Sequence, residues 1–518
     1  MNGARALLAT LSANHVDTCF MNPGTSEMHF VAALDDVDGV RGVLCLFEGV
    51  ATGAADGFAR VRATPAATLL HLGPGLANGW ANLHNARRAH SPIVNIVGDH
   101  ATYHAPLDAP LQSDIASVAR ALAGSVDRAA APDDVAGLAA RAVESCLGPP
   151  GRVATLILPA DASWGELSDA PERWPIASKP TPAAPDAAVL DDARRAFRAR
   201  RCAILIGGTA LDREQLGLAR RVAHATGAKL LMETFPAMLE HGDGVVEAER
   251  LIYLSEFAVA QLADVDALVL IGTGEPVAFF AYPDLPSRIA ADECRVLHVA
   301  PPGTDTLSAL THLADEFNAP IVPSVRGERP GVPSGALTTH SLAAAVAATL
   351  PEDVIVADES NTSGVHLLGA TRFAPAHRWM TLTGGSIGMG LPVALGAAMA
   401  SRQRVLALES DGSMLYTVQA LWSMAREGLD VTVVALVNRS YAILTFERGR
   451  IGATGAGATS QRLLELDDPA IDLCAIATGF GVPSVRVETA HDLVTALRHS
   501  YATPGPMVIE AILPPGLS

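Results

Sequence analysis

Short apolar runs rich in β-branched residues recur along the chain: GVLCLF, ATLLHL, PIVNIVG, ATLILPA, CAILIGG, ALVLIG, RVLHVA, DVIVAD, RVLALES, VTVVALVN and PMVIEAIL. Many are separated by alanine-rich stretches with helical spacing, a rhythm that predicts buried parallel strands alternating with helices. The predicted fold class is therefore α/β, built from doubly wound parallel sheets. The opening MNGARALLATLSANHVD reads as an amphipathic helix, because it lacks the basic start and long apolar core of a signal peptide. Two stretches, 166–188 and 319–337, interrupt the rhythm with prolines and polar residues, as linkers do. They divide the chain into 1–165, 189–318 and 338–518, with no short-period repeat.

The bulk numbers narrow the class. A chain of 518 residues suggests about three domains. Half of it is hydrophobic and only 5% aromatic, which fits close packing of helices on sheets better than a sandwich. A net charge of −18 without a basic stripe argues against nucleic acid as a partner. Cys19, Cys45, Cys146, Cys202, Cys294 and Cys474 are dispersed, with no metal-ligand spacing, and are expected to be reduced thiols. No apolar run approaches a membrane span, so a cytoplasmic protein is expected.

Ligands of open parallel sheets sit beyond the carboxyl ends of the strands, so chemistry is sought just after the apolar runs. The first segment places NPGTSE, FEGVATGAADGFAR, HLGPG and GDHATYH there, and the third places DESNTSG, TGGSIGMGLP, ESDGS and NRSYAIL. The middle segment offers little beyond GTGEP. From Asp411 the chain runs through a helical stretch and the strand VTVVALV to Asn438, 27 residues on. A strand-helix-strand unit of that length brings both strand ends to one edge. It would gather the Asp411 carboxylate, the Asn438 amide oxygen and a backbone carbonyl near Ser440, all hard donors suited to magnesium. Taken singly, Asp-Gly-Ser is also ordinary turn chemistry. Glu48, between a buried strand and a small-residue helix, reads either as a cap or as a carboxyl group exchanging a proton with a ring nitrogen.

These motifs together resemble the thiamine-diphosphate-dependent enzymes of the acetolactate synthase and benzoylformate decarboxylase type. The resemblance rests on FEG…GAADGFAR, GPG, GGSIGMGLP and SDGS followed by NRS. It implies pyrimidine-binding, central and diphosphate-binding domains, with thiamine diphosphate and magnesium as cofactors. Asp411, Asn438 and Ser440 would hold the ion, and Gly412, Ser413, Asn361 and Thr362 the phosphates. Gly385 and Tyr441 would also line the cofactor. Ile387 would wedge the cofactor into a bent form, and Glu48 would bond its aminopyrimidine ring. Ser410 departs from the family's usual glycine before the aspartate, without removing the ligand. In similar enzymes the two half-sites come from different subunits, which implies a homodimer or homotetramer.

The implied reaction is decarboxylation of a 2-oxo acid or carboligation, through an ylide and an enamine. His71 matches a benzoylformate decarboxylase histidine, and Thr25 stands where that enzyme has a serine. A lone strand-end histidine is otherwise commonly a bonded core residue. Gln112 resembles a glutamine of acetolactate synthases, so the catalytic set, Glu48, His71, Gln112 and Thr25, mixes two subfamilies. His100 and His104 are expected to be solvated loop residues. FAD is not expected, because GTGEP is too short a phosphate-loop signal. The competing readings are a flavin- or nucleotide-dependent oxidoreductase, whose GxGxxG is lacking near an early strand, and a non-catalytic relative, which would be expected to lack Glu48 or the ion ligands.

Overall fold

The computed structural model describes residues 1–515 except 170, 454 and 456. The apolar runs become strands. The first sheet contains β1 (Thr18–Asn22), β2 (Arg41–Leu44), β3 (Ala66–Leu70), β4 (Ile93–Asp99), β5 (Ala123–Arg128) and β6 (Val153–Pro159), in the order β2-β1-β3-β4-β6-β5. The central region holds β7 (Cys202–Ile206), β8 (Lys229–Met232), β9 (Leu239–His241), β10 (Glu249–Arg250), β11 (Ala267–Ile271) and β12 (Arg295–Ala300). The third holds β13 (Ile355–Glu359), β14 (His377–Thr381), β15 (Val405–Ser410), β16 (Val431–Val437), β17 (Ser484–Val487) and β18 (Met507–Ile512). Among the described residues every ladder is parallel except one: β9 leaves the central region and pairs antiparallel with β14, at the edge of the third sheet. The N-terminal helix forms over Gly3–Ala13, capped by the Asn2 side chain.

β3, β4, β6, β7, β11 and β16 are buried along their whole length, as strands covered on both faces must be. This is why they read as continuous apolar runs rather than alternating ones. The stretches 171–182 and 321–334 run without regular secondary structure, where the linkers were expected.

Two helices lock the first and third sheets together. Helix Glu48–Arg62 and helix Gly390–Ser401 touch backbone to backbone: a methyl group on Gly57 would stand 2.1 Å from the Val393 carbonyl oxygen, and one on Gly396 would stand 1.9 Å from that of Ala54. The small residues of GVATGAADGFA therefore serve interhelical approach. At the far end of the first helix, Arg60 pairs with Asp56 inside the protein, with side chains 2% and 0% exposed. The same guanidinium donates to the carbonyls of Thr381 at 3.0 Å and Ala237 at 3.2 Å, and to Thr383 Oγ1 at 3.1 Å. Breaking a buried pair by removing one partner costs about 3–5 kcal/mol. Arg60 thus joins three distant segments of the chain at one point.

Candidate active site

β15 and β16 are neighbours in register, Ser410 opposite Leu436, so the Asp411 and Asn438 ends meet as their spacing predicts. Asp411 is buried and opens a short helical turn, Asp411–Met414. Its Oδ1 accepts the Gly412 N–H at 2.9 Å, and its Oδ2 accepts the Arg439 N–H at 2.7 Å. That second bond directly ties the two strand ends together. Burial pushes the Asp411 carboxyl above its usual range, against the pull of these amides. Asn438 donates to Ser363 Oγ at 3.1 Å and accepts the Ser440 N–H at 3.0 Å. Around Ser440 the Arg439 carbonyl accepts from Leu466 and the Tyr441 N–H donates to Leu464, a bridge that leaves the Ser440 carbonyl outside the ladder.

The remaining residues of this half gather on the same edge. Asn361, in the left-handed region with φ of 47°, donates to Ser413 Oγ at 2.9 Å and Ser410 Oγ at 3.1 Å. Thr362 follows in the same turn, Asn361–Gly364. Tyr441 closes over the corner, since a methyl on Gly412 would lie 2.6 Å from its ring. Ile387, half-buried, is presented by a loop that Glu359 clamps: its two carboxylate oxygens accept the Gly388 and Gly390 N–H groups, each at 2.6 Å. Glu359 and its cross-strand neighbour Glu409 are both buried, and burial raises both carboxyl groups.

In the first domain, Glu48 is buried at the start of its helix and accepts a hydrogen bond from Asn78 Nδ2 at 3.1 Å. His71 ends β3. A methyl on Gly75 in helix Leu72–Arg88 would meet Glu48 Oε1 at 3.1 Å, while the His71 ring lies against Gly24, where a methyl would stand 2.3 Å from its Nδ1. His71 Nδ1 lies 2.8 Å from Glu27 Oε2, and the same carboxylate accepts the Gly24 N–H at 2.8 Å. Burial raises the Glu27 carboxyl, and the charge of His71 pulls it back down.

Thr25 is exposed at the start of the turn Thr25–Glu27 that carries this carboxylate. Gln112 sits on the loop before helix Ile115–Arg120, and its Oε1 is buried without a hydrogen-bond partner. Its neighbour Ser113 presses on the start of helix Leu72–Arg88 at Gly73. His100 and His104 differ from expectation: they are half-buried, with rings 5.3 Å apart. The reason is that their loop is folded back, with Thr102 bonded through its N–H and hydroxyl to Asp161.

Glu27, Asn78 and Glu359 were missed by sequence reasoning. Glu27 and Glu359 lie within the quoted stretches NPGTSE and DESNTSG, but only the fold aims them.

Two family models match the chain: the thiamine pyrophosphate enzyme N-terminal TPP binding domain over residues 1–119, and the C-terminal TPP binding domain over 362–511. The chain belongs to the thiamine pyrophosphate enzyme family. A Mycobacterium tuberculosis protein provisionally named acetolactate synthase large subunit IlvX is 51% identical, covering 99% of each chain. Benzoylformate decarboxylase of Pseudomonas aeruginosa is 27% identical over 96% of each. In fold, the chain superposes on a Rhodococcus jostii thiamine diphosphate-dependent 4-hydroxybenzoylformate decarboxylase with a TM-score of 0.84 over 100% of both chains, at 23% identity. The three-sheet architecture is thus the family's own. Among the described residues, no helix is long and apolar enough to cross a membrane.

Proposed function

We propose that this chain is a magnesium- and thiamine-diphosphate-dependent 2-oxo acid decarboxylase or carboligase. The third-domain edge fits both groups. Asp411, Asn438 and the Ser440 carbonyl form an all-oxygen donor set suited to a small hard cation, which would take its remaining ligands from phosphate and water. The Gly412 and Ser413 amides, with Asn361 and Thr362, suit the phosphates. Gly385, Ile387 and Tyr441 suit the body of the cofactor. Thiamine diphosphate supplies the electron sink that lets a 2-oxo acid lose carbon dioxide.

The chain's own groups handle the protons. The observation that carries the reading is the His71 imidazole held on one side by the buried Glu27 carboxylate and open on the other, with Glu48, a buried acid for the cofactor ring, at the head of the helix after β2. With Nδ1 turned to Glu27, His71 is left with Nε2 as the nitrogen that delivers or takes a proton. Thr25, exposed at the start of the turn that carries Glu27, and Gln112, whose buried Oε1 has no hydrogen-bond partner, complete the proposed catalytic set.

FAD has no part in this reading. The Gly208 N–H at the end of β7, where a phosphate would dock, is engaged at 2.8 Å by Glu233, whose carboxyl burial pushes up to about 7. Six free cysteines, five of them buried, suit a reducing cytoplasm. We assign the working form as a homodimer or homotetramer with sites shared between subunits. Large apolar side chains exposed on both halves support this, such as Leu107 at 71% and Leu463 at 75%. The deciding experiment incubates a panel of 2-oxo acids with the protein, thiamine diphosphate and magnesium, and identifies carbon dioxide and products together. No carbon dioxide from any of them would overturn the assignment.

A further inference from the structure

Helix Leu72–Arg88 carries Asn78, Asn82 and Asn85 at steps of four and three, which sets them on one face. Asparagine is a poor helix former, and a buried amide needs partners for its nitrogen and its oxygen. This face finds them in groups assigned to the cofactor. Asn78 bonds Glu48, as described above. Asn82 and Asn85, 3% and 0% exposed, reach instead into the third domain.

There they hold the loop between β14 and helix Gly390–Ser401, which presents Ile387. Asn85 takes both backbone groups of Ser386: its Nδ2 donates to the carbonyl at 2.7 Å, and its Oδ1 accepts the N–H at 3.2 Å. It also donates to Asn82 Oδ1 at 3.0 Å, so the two amides form one network. Asn82 Nδ2 donates to the Gly388 carbonyl at 3.1 Å and to the Gly49 carbonyl, beside Glu48, at 2.8 Å. The Gly388 carbonyl accepts Thr417 Oγ1 as well, at 2.9 Å, while its N–H goes to Glu359. Ile387 thus stands between two residues whose backbone groups are all engaged by side chains. The approach is close: a methyl on Gly384 would lie 2.4 Å from Asn85 Oδ1 and 2.9 Å from Asn85 Cα.

We propose that Asn85 is a positioning residue: through Ser386 it fixes where Ile387 stands, so that the first domain sets a cofactor contact made by the third. The proposal rests on the reading above that Ile387 suits the body of the cofactor. A displacement of about 1 Å is enough to cost up to about a hundredfold in a reaction that depends on alignment.

The test compares Asn85→Ala and Ile387→Ala, singly and together, with wild type. Amide hydrogen exchange of the apo-protein reads the loop, and Asn85→Ala should speed it over 383–390 about tenfold. Exchange of the thiazolium proton of bound thiamine diphosphate, with magnesium present, reads the cofactor. Each single variant should slow it about tenfold or more and the double variant no further, since Asn85 acts through Ile387. Asn85→Asp, which keeps the shape and the acceptor but loses the amide donor, should lie between. Melting curves report the fold, and should Asn85→Ala not fold, Asn85→Asp takes its place in the same comparison. Unchanged amide exchange over the loop, a wild-type thiazolium rate in the Asn85 variants, or effects of Asn85 and Ile387 that add, each overturns the proposal and leaves the reading of Ile387 standing. A wild-type rate in Ile387→Ala overturns that reading and the proposal with it.

Discussion

His71 Nδ1 and Glu27 Oε2 lie 2.8 Å apart, with the carboxylate 1% exposed and the imidazole 25% exposed. A buried acid thus fixes the ring while its far side stays open. If Nε2 delivers the final proton, His71→Ala should slow aldehyde release about a hundredfold or more. It should also raise the carboligated share when an acceptor aldehyde is added. Glu27→Gln should show the same change of product ratio to a smaller degree, since it removes only the orienting carboxylate. The product ratio, read beside a melting curve, separates this from mere loss of stability: an unchanged ratio in a less stable protein returns His71 to a structural role.

Glu48→Gln should keep the fold and bind cofactor, yet slow hydrogen–deuterium exchange at the thiazolium carbon by orders of magnitude. An amide cannot make the proton exchange with the ring that is proposed for the carboxyl group. Exchange at the wild-type rate would remove Glu48 from that role.

Asp411→Ala should weaken magnesium and thiamine diphosphate together, because the carboxylate proposed to hold the ion also joins the two strand ends through the Arg439 amide. Titration of each into apo-protein reads both affinities. Loss of one without the other would break the proposed bridge between them.

The antiparallel joint of β9 and β14 carries a histidine pair, His241 and His377, with rings 5.2 Å apart. Burial lowers both to about 4 from an ordinary 6.5. The unfolded chain takes up these protons near pH 6.5, whereas the folded one does not. Their neutral burial therefore leaves stability intact above pH 6.5 and diminishes it as pH falls toward 4, by on the order of 3 kcal/mol per group. His377→Phe, which also removes a buried Nε2 without a partner, should flatten this acid limb of a plot of melting temperature against pH. A limb of wild-type slope would place the sensitivity elsewhere.

Gly57→Ala should destabilise by about 3 kcal/mol or more, above the usual range for overpacking, because its methyl would meet backbone that cannot rotate aside. Gly217, in helix Arg213–Thr226 with open space around it, provides the contrast: Gly217→Ala should stabilise by about 0.5–1 kcal/mol. Thermal melts of both variants check the pair.

The sheets were legible in the sequence because strands covered on both faces must be apolar throughout. The edge at Asp411 and Asn438 was legible because strand, helix and strand length fix where two ends meet. Glu27 was not, although it lies two residues from Thr25: it acts through the pairing of β1 with β3, which brings its turn under His71, and no local pattern states that pairing. Asn85 was illegible for the same reason, since its partner, Ser386, follows a strand of another sheet. The three residues of β9 are too few to show a period at all.

β9 also bears on how this chain can be taken apart and recombined. Cuts placed at the proline-rich connectors would give a middle fragment that carries away Leu239, Glu240 and His241, and with them the edge of the third sheet. Chimaeras that exchange the central unit at those points would leave β14 with a bare, apolar-flanked edge open to other chains. Grafts that keep the β9 segment with its recipient should express as soluble protein, while grafts that replace it with an unmatched sequence should aggregate.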